Sequence, residues 1–518
     1  MSLHAGTLVG VTQYFQGDAF MERQLIRRDA ILIFVLLLIS YMYVLPRWAD
    51  WSQNSRLNLV RALVERGTTQ IDAYVANTGD YAIYNDHSYT DKPPGLSFAG
   101  LPFYAAVYPL IEQPQVAKLL EKLAGGGALS TTLNATGSGL KADKIHHFVA
   151  QALLSTVTVA IPAAALGSLL YVVLAWLGIG RIIRSVGTLG YGLATPAAAY
   201  AGNYYSHQFV AALLFGAFAL LLMSPGRQQG IGLVRALLFG LLSGFVVISE
   251  YPPAIIVAVL GIYALTRLRP IEIIIAILGG LPALALMAAY DMAAFGTIWP
   301  VGYSHSALWQ DQHHTGFMSI TYPHPEALWG LLFGSFRGLF VRAPWLLLLL
   351  PGIIAWWRSR EQRGALWVCL LSVLGLILFY SSSIMWWGGF GIGPRYLVPM
   401  LPFVALIAIF GLQSLWSRPI LKLASVGLIL LSGALTWLET LAGQSFPSDA
   451  IREPWLGYTL PAWQQGDIAR NMGTALGLHG VLSLLPLVIS VLVLVIVLMR
   501  SPGMTQRPSQ AKAQTANV

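Results

Sequence analysis

The sequence predicts an all-α polytopic membrane protein with about twelve transmembrane helices, and three observations predict it. Of the 518 residues, 56% are hydrophobic and 10% charged, where a soluble domain carries roughly 25% charged residues. The mean hydropathy is +0.65. Apolar runs follow one another closely from residue 146 onward. The lone Cys369 lies inside one of these runs, which excludes an internal disulfide and a cysteine metal cluster. The isoelectric point near 9.5 raises the question of nucleic acid. No Lys/Arg-rich patch or nucleic-acid motif occurs, so no such partner is expected.

Residues 1–20 are polar and show no clear periodicity, and Met21 is a candidate start. Arg23, Arg27 and Arg28 then precede the apolar run Ile31–Val44, read as an uncleaved first span because no small-residue cleavage site follows it. The long polar region 46–145 comes next. Within it, Leu57, Val60, Leu63 and Val64 recur at helical spacing, which predicts an amphipathic helix over Trp51–Arg66 lying along the membrane surface and ending at Gly67. Leu96–Leu110 is short and holds Pro102 and Pro109, so it reads as interfacial or re-entrant. Residues 124–139, rich in Gly, Ser, Thr and Asn, read as a flexible loop. Eleven further spans are expected near 146–178, 185–203, 208–223, 233–249, 252–266, 271–290, 343–357, 364–381, 397–415, 421–440 and 478–499. The chain therefore divides into a cytoplasmic tail (1–30), a transmembrane domain (31–440) with its outer loop at 46–145, an outer loop (441–477), a last span (478–499) and a cytoplasmic tail (500–518).

Charge supplies the orientation. If the first span runs from inside to outside, the tails and alternate connections hold 17 of the 31 Lys and Arg residues but 5 of the 22 acids. The other side keeps 14 cations and 17 acids. That asymmetry predicts a multi-pass membrane protein with both termini in the cytoplasm.

The unusual polar clusters all fall on the predicted outer side, whereas a transporter is expected to place them near the bilayer midplane. Tyr89-Thr90-Asp91-Lys92-Pro93-Pro94-Gly95 sets a carboxylate and an ammonium before a greasy segment, where a charged headgroup can be held. Asp91 and Asp80 are the candidate bases for taking a hydroxyl proton, with Asp50 also nearby. Lys92, Arg337 and Arg395 are the candidate cations for a phosphate. Tyr89, Tyr205, His207, Glu250, Tyr303, Trp386, Trp387 and Tyr396 are candidate cleft-lining residues, against the plainer readings of aromatic belt, helix cap and core packing. His305, His313, His314 and His324 with Asp311 raise a divalent metal, but their spacing fits no rigid ligand motif.

A long first outer loop, the Asp91-Lys92-Pro93-Pro94 motif and many spans together resemble the C-fold membrane glycosyltransferases. The aminoarabinose transferases acting on lipid A and the protein O-mannosyltransferases are the branches nearest in pattern. Asp91-Lys92-Pro93-Pro94 is similar to their Glu-Lys-Pro-Pro. Tyr205-Ser206-His207, Phe336 to Phe340, and Trp386-Trp387-Gly388-Gly389 through Gly393-Pro394-Arg395-Tyr396 look like an uncharacterised bacterial branch. The resemblance implies transfer of a sugar from a polyprenyl-phosphate donor to an acceptor hydroxyl, with inversion, on the outer face of the membrane. Glycan, lipid and protein acceptors all fit it, and the donor lipid and membrane lipids are the implied partners. The chain departs from the pattern at Gln53-Asn54, where those families carry an Asp-Glu pair that supplies the catalytic carboxylate. The rival readings are a flippase or transporter of a lipid-linked substrate, and a non-catalytic membrane partner. The topology has its own test: a reporter fused after Arg360 is expected to read cytoplasmic and one within 124–139 external, and the reverse at either site would move every outer cluster to the wrong side.

Overall fold

The computed structural model describes residues 5–47, 50–125, 144–316 and 319–500, and the structural statements below concern these residues. The first helix, α1 (Ala5–Tyr43), starts well before its apolar run and takes in most of the segment expected to lack periodicity. The second, α2 (Trp51–Arg66), has the predicted bounds. The Asp50 side chain caps it by accepting the backbone N–H groups of Ser52 and Gln53 at 2.9 and 3.3 Å, and Gly67 closes it at φ 65°.

The surface placement expected of α2 is corrected. Its residues from Ser52 to Ala62 are buried, polar ones included. They tolerate burial because they are bonded. Gln53 gives its amide to the Arg47 carbonyl and accepts from Gln151 and the Tyr204 backbone, while Asn54 gives to the Asn77 carbonyl and meets His147 at 3.0 Å.

The polar stretch after α2 folds into a small antiparallel hairpin of β1 (Tyr81–Tyr84) and β2 (His87–Thr90). Its two-residue turn, Asn85-Asp86, has φ of 49° and 62°, the left-handed conformation that Asn and Asp tolerate. Pro93-Pro94 then stops the strand, and α3 (Gly95–Ile111) begins at once, a helix packed on α2. Gly95 allows a backbone approach no side chain would: a Cβ there would overlap Ser249 at the end of the Leu233–Ser249 helix. The hairpin's exit is thereby pressed against Ile248 and Ser249.

Six helices are long and apolar enough to cross a membrane: Ile145–Trp176, Pro270–Phe295, Arg363–Ser381, Arg395–Leu415, Pro419–Leu441 and Gly480–Met499. Four apolar helices are shorter, Gly95–Ile111 among them. Three of the runs expected to span are irregular. The 185–203 run stops as a helix at Leu193 before Thr195-Pro196, and the 343–357 run is divided into a 3-10 turn after Ala343 and the Leu349–Ser359 helix. The Ile145–Trp176 span carries a π turn at Ser155–Ala160. Most of the 124–139 segment and the tail from 501 lie outside the described residues.

The connections sort into two ends. At one, Arg181 pairs with Asp29 at 2.6 Å and donates to the Leu498 carbonyl, Arg28 donates to Val497, and Arg267 reaches Gln362 at 2.7 Å. These are segments assigned to the cytoplasmic side by charge. The polar clusters 80–92, 203–208, 249–253, 302–313 and 386–396 meet at the other.

The Leu233–Ser249 and Pro270–Phe295 helices touch backbone to backbone, since a Cβ on Gly240 would run into the Ala276 carbonyl and one on Gly279 into that of Leu237. Gly240→Leu is therefore expected to lower the thermal midpoint in detergent and the yield of monodisperse protein. Gly427→Leu, at a helix position with open space around it, is expected to change neither.

Candidate active site

The hairpin register explains how two carboxylates eleven positions apart come together. Tyr81 pairs with Thr90, so Asp80 and Asp91 flank the open end of the ladder. Lys92 stands between them, its Nζ 3.0 Å from Asp80 Oδ2 and 3.3 Å from Asp91 Oδ1. The 302–309 segment closes over this trio by bridging Ala82 to Ser306, with the Ala307 N–H donating to the Tyr81 carbonyl. It brings the Ser306 hydroxyl to Asp91 at 3.1 Å, the Trp309 indole to Asp80 at 3.2 Å and the Tyr303 ring to 5.7 Å from the Lys92 ammonium.

The two carboxylates are not equivalent. Burial acts to raise the Asp80 carboxyl, but the Lys92 ammonium and the Trp309 hydrogen bond overcome it and hold the group below the usual range. For Asp91, burial dominates and the neighbouring Asp80 charge adds to it, so despite Lys92 its carboxyl is pushed up to about 6. Asp91 Oδ1 is buried and accepts no hydrogen bond. Lys92 is held firmly protonated: burial opposes its charge, and the two carboxylates outweigh that.

A second wall faces the trio. Arg56, buried on α2, donates to Ser206 at 3.3 Å, and Ser206 donates to Glu250 at 3.1 Å. His207 Nδ1 sits 2.9 Å from the same carboxylate, and the Tyr380 hydroxyl donates to it at 3.4 Å. The Arg395 guanidinium lies over the rings of Tyr205 and Tyr396 at 5.3 and 5.4 Å, with Asp50 at 3.9 Å. Tyr396 stacks on Tyr380 and meets His207 edge-on. The Nε atoms of both Arg56 and Arg395 are buried without a hydrogen-bond partner. Arg56, Ser306 and Tyr380 were not singled out from the sequence. The signal for Ser306 was absent, whereas a buried arginine on the polar stripe of α2 was there to be weighed.

Four candidates do not join this group. Arg337 is 1% exposed, and its three nitrogens donate to the carbonyls of Trp387, Gly391 and Gly389. It holds the Trp386 to Gly391 loop in shape instead of facing a phosphate. Trp387 donates to Asp449, and Trp386 packs edge-on against Phe336 and over Gly330. Tyr89 is buried against Phe295. The histidines scatter: His305 stacks on Phe295, His313 on Tyr303 and His324 on Tyr322. Among the described residues no three His, Cys, Asp or Glu side chains gather as a metal would need.

No family model matches the chain, and no curated protein matches it. Among solved structures it is similar to ArnT from Cupriavidus metallidurans in the apo state, at 13% identity, covering 93% of this chain and 75% of that one, with a TM-score of 0.44. It is similar to the same protein bound to undecaprenyl phosphate at 14% identity, with the same coverage and TM-score. A likeness this distant leaves the chemistry to the residues themselves.

The division between loop-holding and cleft-facing arginines is testable by stability. Removing the three charge-assisted bonds of Arg337 costs on the order of ~1.5–3 kcal/mol for each carbonyl left unpaired. Arg337→Ala is expected to lower the thermal midpoint clearly more than Arg395→Ala. An equal loss from both would put them in the same structural role.

Proposed function

We propose that the chain transfers a sugar from a polyprenyl-phosphate donor to an acceptor hydroxyl, with inversion, in the cleft formed by the hairpin, α2 and the outer helix ends. The observation that carries this reading is the unequal carboxylate pair around Lys92, with the unfilled N–H groups of Arg56 and Arg395 on the facing wall. Asp91, buried and with one oxygen free of hydrogen bonds, takes the acceptor proton. The acceptor oxygen then bonds to the anomeric carbon as that carbon's bond to the phosphate oxygen breaks. The electron pair stays on the phosphate, where the ammonium and guanidinium groups offset the charge. Asp80 keeps Lys92 in position. His207, Glu250 and Tyr380 line the wall on which the sugar and acceptor would rest, and Tyr205 and Tyr396 orient Arg395. The C-fold pattern in Asp91-Lys92-Pro93-Pro94 and in Gly393-Pro394-Arg395-Tyr396 supports the same reading, and the fold likeness to ArnT is compatible with it.

Purified protein given polyprenyl-phosphate sugars should release the polyprenyl phosphate. Translocation of the donor with no release would assign the chain to transport instead. Asp91→Asn is expected to lower turnover by ~10²-fold or more with donor binding intact. If Asp80→Asn loses turnover while Asp91→Asn keeps it, the two acids exchange roles, and normal turnover in both would sink the mechanism.

The pH dependence has a defined sign. The base must be ionised, and its carboxyl lies at about 6, so turnover should rise as pH increases through that value. That limb should be absent from the residual activity of Asp91→Asn. For the phosphate, Arg395→Ala is expected to weaken donor binding by at least ~10-fold, the cost of a charge-assisted contact, and Arg395→Lys to recover only part of it. Unchanged binding in the alanine variant would reduce Arg395 to an anchor at the membrane interface.

A further inference from the structure

The two carboxylate oxygens of Asp50 do different work. Oδ1 caps α2, accepting the Ser52 and Gln53 backbone N–H groups at 2.9 and 3.3 Å. Oδ2 is turned toward Arg395 and lies 3.9 Å from its Nη1. A charge-assisted hydrogen bond closes to about 2.7–2.9 Å, so this pair attracts without touching. An amide caps a helix as well as a carboxylate does. The cap therefore gives no reason for a charge at this position, and the reason has to come from Arg395.

Neither partner is placed to close the gap. The cap ties the Asp50 carboxylate to the first turn of α2, and Gln53 anchors that turn to Arg47, Gln151 and Tyr204. Arg395 donates Nη1 to the Phe390 carbonyl at 3.2 Å and lies over the rings of Tyr205 and Tyr396. Its Nε is buried with no hydrogen-bond partner. A cation with a donor to spare is thus faced by a carboxylate that is held close but kept from contact. An anion that reaches the guanidinium meets Asp50 beside it.

Transfer changes the charge of that anion. In the donor the phosphate is a diester with one negative charge. When the bond to the anomeric carbon breaks and its electron pair stays on oxygen, the lipid is left as a phosphate monoester. A monoester carries close to two charges above neutral pH. Asp50 repels both forms, the doubly charged one about twice as strongly. Resting on the transfer reading above, we propose that Asp50 is a specificity-determining residue that sets the cleft against its own product. It weakens the hold of Arg395 on a phosphate monoester more than on a diester, and so favours exchange of the used lipid for fresh donor.

Native mass spectrometry of the detergent-purified full-length chain at about pH 8 tests this, where the monoester is doubly charged. The probes are decaprenyl phosphate, a monoester, and its methyl ester, a diester. Asp50→Asn is expected to tighten the monoester by about 10-fold or more and the diester clearly less. Asp50→Ser, which also caps without a charge, should do the same. With Arg395→Gln in addition, the gain from Asp50→Asn should shrink, because the phosphate is no longer held beside residue 50. Unchanged or weaker monoester binding in Asp50→Asn would overturn the proposal and leave Asp50 as a support for Arg395. An equal gain for both esters, or a full gain without Arg395, would overturn it too. A wild-type chain that binds neither ester would remove the phosphate site itself, and the transfer reading would fall with the proposal.

Discussion

Two carboxylates brought together in a buried site repel each other and lose their hydration, and the Lys92 ammonium between Asp80 and Asp91 offsets both costs. Much of the outer architecture follows from keeping that ammonium where it is. The hairpin register sets the two acids across from each other, and Pro93-Pro94 ends the strand immediately after the lysine. The contact of Gly95 with the end of the Leu233–Ser249 helix fixes the exit. Ser306 and Trp309 then occupy one oxygen on each acid. Removal of the lysine alone would leave two buried charges unpaired, a larger penalty than removal of all three groups together.

The amides at Gln53 and Asn54 take on a different character in this setting. An amide cannot accept a proton at neutral pH, so these two side chains cannot do acid–base work here. They do something else. Gln53 and Asn54 are both donor and acceptor, and each satisfies groups on both sides: Arg47 and Asn77 carbonyls on one, Gln151, Tyr204 and His147 on the other. A pair of carboxylates in that spot could accept but not donate, and the two carbonyls would lose their partners. The helix α2 is thereby pinned as a structural wall, and the carboxylates around it come from Asp50 at its cap, Glu250, and Asp80 and Asp91 at the mouth of the hairpin.

What the sequence made legible divides along physical lines. The bounds of α2, the class of the protein and the choice of Asp80, Asp91, Lys92 and Arg395 as candidates follow from local signals: a cap, a periodicity, a proline stop, a cation among glycines. The hairpin was equally local, since Tyr81-Ala-Ile-Tyr and His87-Ser-Tyr-Thr flank a two-residue Asn-Asp turn, and a sharper reading of turn chemistry would have found it. Arg337 and Trp387 misled for the opposite reason. Their partners are the carbonyls of Gly389 and Gly391 and the Asp449 side chain, and nothing in the residues near Arg337 distinguishes a loop-holding guanidinium from a phosphate-facing one. An apolar run can also conceal a break, as at Thr195-Pro196, because composition does not register the backbone.

The charge balance of the cleft gives the unequal acids a consequence for the pH at which the site works. Without a ligand, Lys92, Arg56 and Arg395 are matched by Asp80, Asp91, Glu250 and Asp50, so the site is close to neutral and an arriving phosphate meets acids as well as cations. Asp91 is the one among them pushed up by burial to about 6, and it is the easiest to protonate when a further negative charge enters. On the transfer reading proposed above, a bound phosphate would draw on the same ammonium and raise the Asp91 carboxyl further. The base must then be ionised against that shift, so the rising limb of turnover expected with pH should lie at or above about 6 once the donor is bound.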